Sequence, residues 1–238
     1  AASNANPAVY VKFPVETMIS NFDGMLNLLE YTKEYEISRI LYISSSEVYG
    51  NKQSVGIYQE DDYGYIDLLN PRACYPSAKR AAETLCSAYR AEYGIDFVIA
   101  RPGHIYGPTM TENDTRASSQ FAKDVIEKKD IVMKSAGLQL RSYCYVLDCI
   151  SAILTILING RTGEAYNISN PDSICTIREI AEAFAKAGST KVIFENPTEV
   201  EKRGYNLMTN SSLDAKKLLD LGWKGLFSLE DGVSKTIR

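Results

Sequence analysis

Tyr75 and Lys79 stand four residues apart in "RACYPSAKRAAETLCSAYRAEYG" (72–94), a stretch with the apolar spacing of a helix. Side chains at i and i+4 share one helix face. A free phenol titrates near ~10 and is a poor base at neutral pH. An ammonium on the same face favours the phenolate, so the pair is expected to lower the Tyr75 pKa and make it a general acid/base. Upstream, "SSSEVYG" (44–50) sets the hydroxyls of Ser44, Ser45 and Ser46 and the carboxylate of Glu47 directly after an apolar run. "ARPGHIYGP" (100–108) follows the next apolar run and carries His104, the single histidine. With one histidine and five scattered cysteines, a metal site or a Ser-His-Asp triad has little material, and no metal is expected. The cysteines read as reduced, mostly buried thiols of a cytoplasmic protein.

Several elements must position these residues. Residues 15–35 show helical spacing. "RILYISSS" (39–46) and "IDFVIARP" (95–102) read as buried parallel strands flanking the Tyr75 helix, which closes near Gly94. Strand, helix, strand makes a βαβ unit, and such sheets place their chemistry at the carboxyl ends of the strands. A long polar loop spans 50–71. Beyond Pro108 the spacing predicts helices at 117–129, 148–158, 176–188 and 213–222, and strands at 131–134, 141–146 and 164–169. Thr176 and Glu179 have the spacing of a capping box. The fold class is therefore α/β. Residues 1–108 are expected to form part of a Rossmann-like, dinucleotide-binding domain. Residues 109–238 are expected to form mainly a smaller α+β substrate-binding lobe, with some segments returning to the sheet. A net charge of −4 argues against a nucleic-acid partner. "ISAILTILI" (150–158) is too short to span a membrane, and "AASNANPAVYVKFP" lacks the basic and apolar regions of a signal peptide.

The ordered motifs "NFDGMLNLLE" (21–30), "SSSEVYG", "YPSAK" (75–79), "RPGHIYGP" (101–108), "LQLRSYCYVLD" (138–148), "EAYNIS" (164–169) and "LDAKKLLDLGW" (213–223) cover almost the whole chain. In that order they resemble the extended short-chain dehydrogenase/reductases, the nucleotide-sugar epimerases and dehydratases. The resemblance implies a Rossmann-like parallel sheet, NAD or NADP as cofactor, and a nucleotide-diphosphate sugar as substrate, oxidised transiently at C4. In this family a GxxGxxG loop that cradles pyrophosphate precedes these motifs. Here GxxG occurs only at 160–163 and 222–225. The Rossmann sheet is therefore expected to be incomplete at its N-terminal side, the chain to be a truncated form, and its dinucleotide binding to be weak.

The resemblance also implies residue roles. Tyr75 is the base on the sugar hydroxyl. Lys79 is its partner and binds the nicotinamide ribose. Ser45 hydrogen-bonds the C4 oxygen. Asn21, Ser44 and Pro102 lie at the cofactor. Glu47 matches the acidic residue of dehydratases and glucuronate decarboxylases, where it could remove the C5 proton. Ser46 stands where some dehydratases have an aspartic acid. His104 replaces the usual asparagine at the substrate, while Arg141 and Arg203 match diphosphate-binding arginines. Alternatives are a decarboxylase, a reductase, or a non-catalytic sugar-nucleotide-binding remnant. A homodimer packed through helices 15–35 and 75–93 is expected.

Overall fold

The computed structural model describes residues 5–52, 56–111, 113–197 and 209–238. A short helix α1 (Pro7–Lys12) leads into α2 (Pro14–Glu34), which starts on a proline that needs no N–H partner there. Three parallel strands, β1 (Ile40–Ile43), β2 (Phe97–Pro102) and β6 (Ala165–Ile168), form one sheet in the order β1-β2-β6. Ile40 pairs with Phe97, and Ile99 with Ala165. α3 (Cys74–Tyr93) connects β1 to β2. The side chains of β2 alternate between two cores, as strand geometry requires. Phe97 and Ile99 join Met25, Leu29, Ala82 and Cys86 beneath α2 and α3. Val98 and Ala100 join Ala152, Ile156 and Trp223 on the other face, under α5 (Val146–Asn159). The sheet is thus covered by helices on both sides.

A second sheet lies beside the carboxyl edge of the first. β3 (His104–Tyr106) runs parallel to β5 (Leu140–Tyr145), which pairs with β7 (Ile174–Thr176) and β9 (Asn210–Ser211). β4 (Ile131–Met133) pairs with β8 (Val192–Phe194). α4 (Ala117–Ile126), α6 (Ile177–Gly188) and α8 (Leu229–Thr236) supply its core with Phe121, Val125, Phe184 and Val233, and α7 (Lys216–Asp220) packs by β6. Thr176 and Glu179 form the expected capping box on α6. The 213–222 helix is shorter than its pattern, because Asp214 instead accepts the backbone N–H of Lys216 and so starts the helix there. Sequence spacing did not reveal α1, β3, β7, β8 or α8, all of eight residues or fewer. The five cysteines are buried, free thiols. No described helix is long and apolar enough to cross a membrane.

Candidate active site

α3 makes the site possible. Its first turn contains Pro76, whose missing N–H would have no helical partner in that position. Gly94, at φ +73°, closes its end in the left-handed region. Tyr75, Ala78, Lys79, Ala82 and Cys86 form one buried stripe facing the sheet. Tyr75 and Lys79 are therefore 6% exposed each, because core packing places them there.

β1 ends at Ile43, and the chain turns through a 3-10 segment at Ser46–Tyr49. Ser45 caps this turn by accepting the backbone N–H of Glu47 at 3.2 Å. The turn closes on Gly50, at φ +63°, where an added Cβ would lie 2.5 Å from the Tyr65 carbonyl oxygen. β1 and β2 are parallel, so Ser44, Ser45 and the Pro102–Gly103 corner share one sheet edge. The Ser45 hydroxyl lies close enough to the Tyr75 phenol to act on its titration.

The Tyr75 phenol does not behave as the spacing suggested. Burial pushes its pKa up, the neighbouring Ser45 hydroxyl opposes that rise, and nearby Glu47 adds to it. The Lys79 Nζ donates to the Ile43 carbonyl at 2.9 Å and stands 5.7 Å from the centroid of the Tyr75 ring. Burial also pushes the Lys79 pKa down to about 8. Desolvation thus outweighs the expected ammonium effect.

Around this pair lies a cluster of arginines. Arg72 approaches Glu47 at 3.8 Å. Glu47 keeps 32% of its side-chain surface open, yet surrounding protein desolvates it and raises its pKa against the pull of Arg72 and Arg141. Arg141 is buried on β5 and donates to its own Leu140 carbonyl at 2.9 Å. His104 packs on Tyr143, with ring centroids 5.5 Å apart. Burial, with Arg141 and Arg116 nearby, lowers the His104 pKa to about 3, so the ring is neutral. Its Nδ1 is buried without a hydrogen-bond partner among the described residues. Arg116 is held in a fork by Asp114, its closest contact being 2.6 Å.

Three of these neighbours were missed in the sequence. Tyr10 of α1 stacks on Tyr75, with centroids 5.1 Å apart and planes 7° from parallel. Arg72 lies over the Tyr10 ring at 5.7 Å. Arg116 is near enough to lower the pKa of both His104 and Tyr75. Arg72 stands only three residues before Tyr75 and was the most legible of the three; Tyr10 and Arg116 arrive through tertiary packing alone. Asn21 is buried in α2 and donates to the Thr17 carbonyl at 2.7 Å, which is the bonding of a helix-packing amide. Ser46 opens the 3-10 turn, and Pro102 pairs with Ile168 at the end of β2. Arg203 lies outside the described residues.

Residues 1–169 match the family described as NAD dependent epimerase/dehydratase. The chain belongs to that family. It is 32% identical to UDP-glucuronic acid decarboxylase 1 of Xenopus tropicalis, over 99% of this chain and 54% of the relative. It is also 32% identical to UDP-glucuronic acid decarboxylase 6 of Arabidopsis thaliana, over 98% of this chain and 66% of the relative. The chain spans about half the length of the first of these relatives. Among solved structures, the UDP-glucose 4-epimerase of Thermotoga maritima with UDP-glucose has a TM-score of 0.86 at 23% identity. That likeness covers 100% of this chain and 74% of the other, and it speaks for the fold. The UDP-glucuronic acid 4-epimerase of Bacillus cereus, in complex with UDP-glucuronic acid and NAD, has a TM-score of 0.77 at 26% identity. It covers 93% of this chain and 67% of the other. The NAD-dependent epimerase/dehydratase family thus accounts for the parallel sheet and for the ordered motifs along it.

Proposed function

We propose that this chain carries the reaction centre of a nucleotide-sugar epimerase/dehydratase that works through transient oxidation at C4. The observation that carries the reading is the Ser45 hydroxyl set beside the Tyr75 phenol at the carboxyl edge of the parallel sheet, with Lys79 one turn along the same buried stripe. NAD, when bound, supplies the hydride acceptor. Tyr75, Lys79, Ser44 and Pro102 would hold its nicotinamide half. Ser44 fits this part, since its Oγ is buried and without a hydrogen-bond partner among the described residues. Asn21 gives one amide N–H to its own helix and would offer its other amide groups to the cofactor.

Ser45 and Tyr75 would hold the C4 oxygen between two hydroxyls, and Tyr75 would take its proton as C4 becomes a carbonyl. Arg141 and Arg116, with the neutral His104, would hold the diphosphate or an acidic sugar group. Arginine suits both because its planar fork matches phosphate and carboxylate oxygens. Glu47, with a raised pKa, would exchange a proton at C5. Arg203 remains a proposed second phosphate ligand. The division into a cofactor domain at 1–108 and a substrate lobe at 109–238, a homodimer, and a cytoplasmic setting belong to the same reading.

A second reading is decarboxylation, and the identity to UDP-glucuronic acid decarboxylases favours it. Once C4 is a carbonyl, a carboxylate on C5 is β to it. The bond to that carboxylate can break with release of carbon dioxide, its electron pair passing to the C4 enolate. C5 then takes a proton and C4 takes the hydride back. To decide, the protein as it occurs in the cell is incubated with UDP-glucuronate, UDP-glucose or dTDP-glucose in deuterated water. Carbon dioxide with deuterium at C5 marks a decarboxylase. A C4 epimer without deuterium marks an epimerase, and loss of water with deuterium at C5 or C6 marks a dehydratase. Sugar-nucleotide binding without turnover of any of these would overturn the catalytic reading in favour of a binding remnant.

A further inference from the structure

We propose that Arg80 is a positioning residue that fixes the Ser45–Glu47 turn against the helix carrying Tyr75. The proposal rests on the catalytic reading above. Arg80 follows Lys79 directly, so its side chain leaves α3 about 100° away from the sheet-facing stripe. It reaches the 3-10 turn. Its Nε donates to the Val48 carbonyl at 2.6 Å, and Nη2 donates to the carbonyls of Tyr49 at 3.2 Å and Gly64 at 2.9 Å. Val48 and Tyr49 end the turn that Ser45 begins. Carbonyls at a helical end lack an intrahelical partner, so these two need donors from elsewhere. The Gly64 N–H supplies a further one to Tyr49 at 2.7 Å, which ties the 56–70 loop into the same clamp. A guanidinium can bridge three acceptors in a fixed plane; an ammonium of similar reach cannot hold that geometry.

This arrangement joins the two halves of the site through one helix. α3 supplies Tyr75, and through Arg80 it also sets the height of the turn that presents Ser45 and Glu47. Lys79 adds a parallel tie from the same helix to the Ile43 carbonyl at the end of β1. The Ser45–Tyr75 contact is therefore registered from two adjacent turns of α3, with the 56–70 loop held in the same clamp through Gly64.

The test uses Arg80→Ala, Arg80→Lys and Tyr75→Phe in the protein as it occurs in the cell. Amide hydrogen exchange is followed alongside kinetics. Exchange should rise across 46–51 and 62–66 in Arg80→Ala and stay unchanged across β2. Turnover should fall ~10–10²-fold, the cost of a small misplacement, with KM changed less than ~3-fold. Ethylguanidinium should restore part of that turnover, and Arg80→Lys should not. Unchanged exchange at the turn would overturn the clamp. Raised exchange with full turnover would overturn its positioning role. If Arg80→Ala does not fold, Arg80→Gln, which keeps amide donors, is read by the same criteria. Tyr75→Phe separates the layers: full turnover there sinks the catalytic reading, while the exchange result still decides whether Arg80 holds the turn.

Discussion

Tyr75 is the residue on which the proposed chemistry turns. Tyr75→Phe keeps the ring and its stack on Tyr10, so folding should be retained. Steady-state turnover should drop ~10²–10⁴-fold, and near-full turnover would remove Tyr75 from the mechanism. His104 offers a pH test free of overlap, since it is the only histidine. Its folded-state pKa is lowered to about 3 by burial beside two arginines. In the unfolded chain it titrates near ~6.5, so below that value the unfolded state binds one proton more than the native state. Stability is thus lost as pH falls from about 6.5 toward about 3, and the penalty is absent above that window. The imidazole proton NMR signal should therefore show no titration between about pH 5 and about pH 8. His104→Asn should shrink the acid-side loss of stability. A signal titrating near ~6.5 would mean that the ring is solvated.

At the scale of elements, the β2–β3 corner decides how the two sheets meet. Gly103 lies between them, and a Cβ there would come 2.6 Å from the Ser142 carbonyl oxygen and 3.1 Å from its Cβ. That carbonyl belongs to β5, the strand that carries Arg141 and pairs with His104. Gly103→Ala should destabilise the chain by ~1–3 kcal/mol, the range for overpacking, and displace His104 relative to Arg141. Urea midpoints and affinity for UDP should fall together; an unchanged midpoint would show that the corner can open freely. α6 gives a contrasting case, because its stability rests on a local motif. Thr176→Ala removes the capping box and should cost ~0.5–2 kcal/mol, measured by thermal unfolding, and a change below that range would mean that packing alone holds the helix start.

At the scale of the whole molecule, α2 carries exposed apolar side chains among the described residues. Val15, Ile19 and Phe22, on one side of the helix, are 68%, 53% and 38% exposed, and Tyr31, on another side, is 53% exposed. An apolar surface beyond the core-facing stripe needs a second cover, and a two-fold contact between copies is the commonest one. On α3, the second helix expected at that contact, Leu85 and Tyr89 pack partly against the core beneath α2 and α3. Light scattering should report a dimer, and Ile19→Glu should convert it to a monomer with little loss of thermal stability. A monomer at every concentration tested would count against this interface.

Sequence alone determined the βαβ unit, the Tyr75 helix, the capping box and the family, because these rest on local periodicity and on ordered motifs. Strands as short as β3, β7 and β8 carry too few residues for a periodicity, so only pairing with distant segments creates them. The titration of the site was likewise decided by tertiary structure. Spacing puts Lys79 on the face of Tyr75, but the buried stripe of α3 turns its ammonium to the Ile43 carbonyl and desolvates the phenol. Tyr10 and Arg116 lie 65 residues before and 41 residues after Tyr75 in the chain, and reach it only once α1 and α4 have packed against the sheet edge. Charge, burial and contact at a site are sums over neighbours in space, and a spacing rule sees only neighbours in sequence.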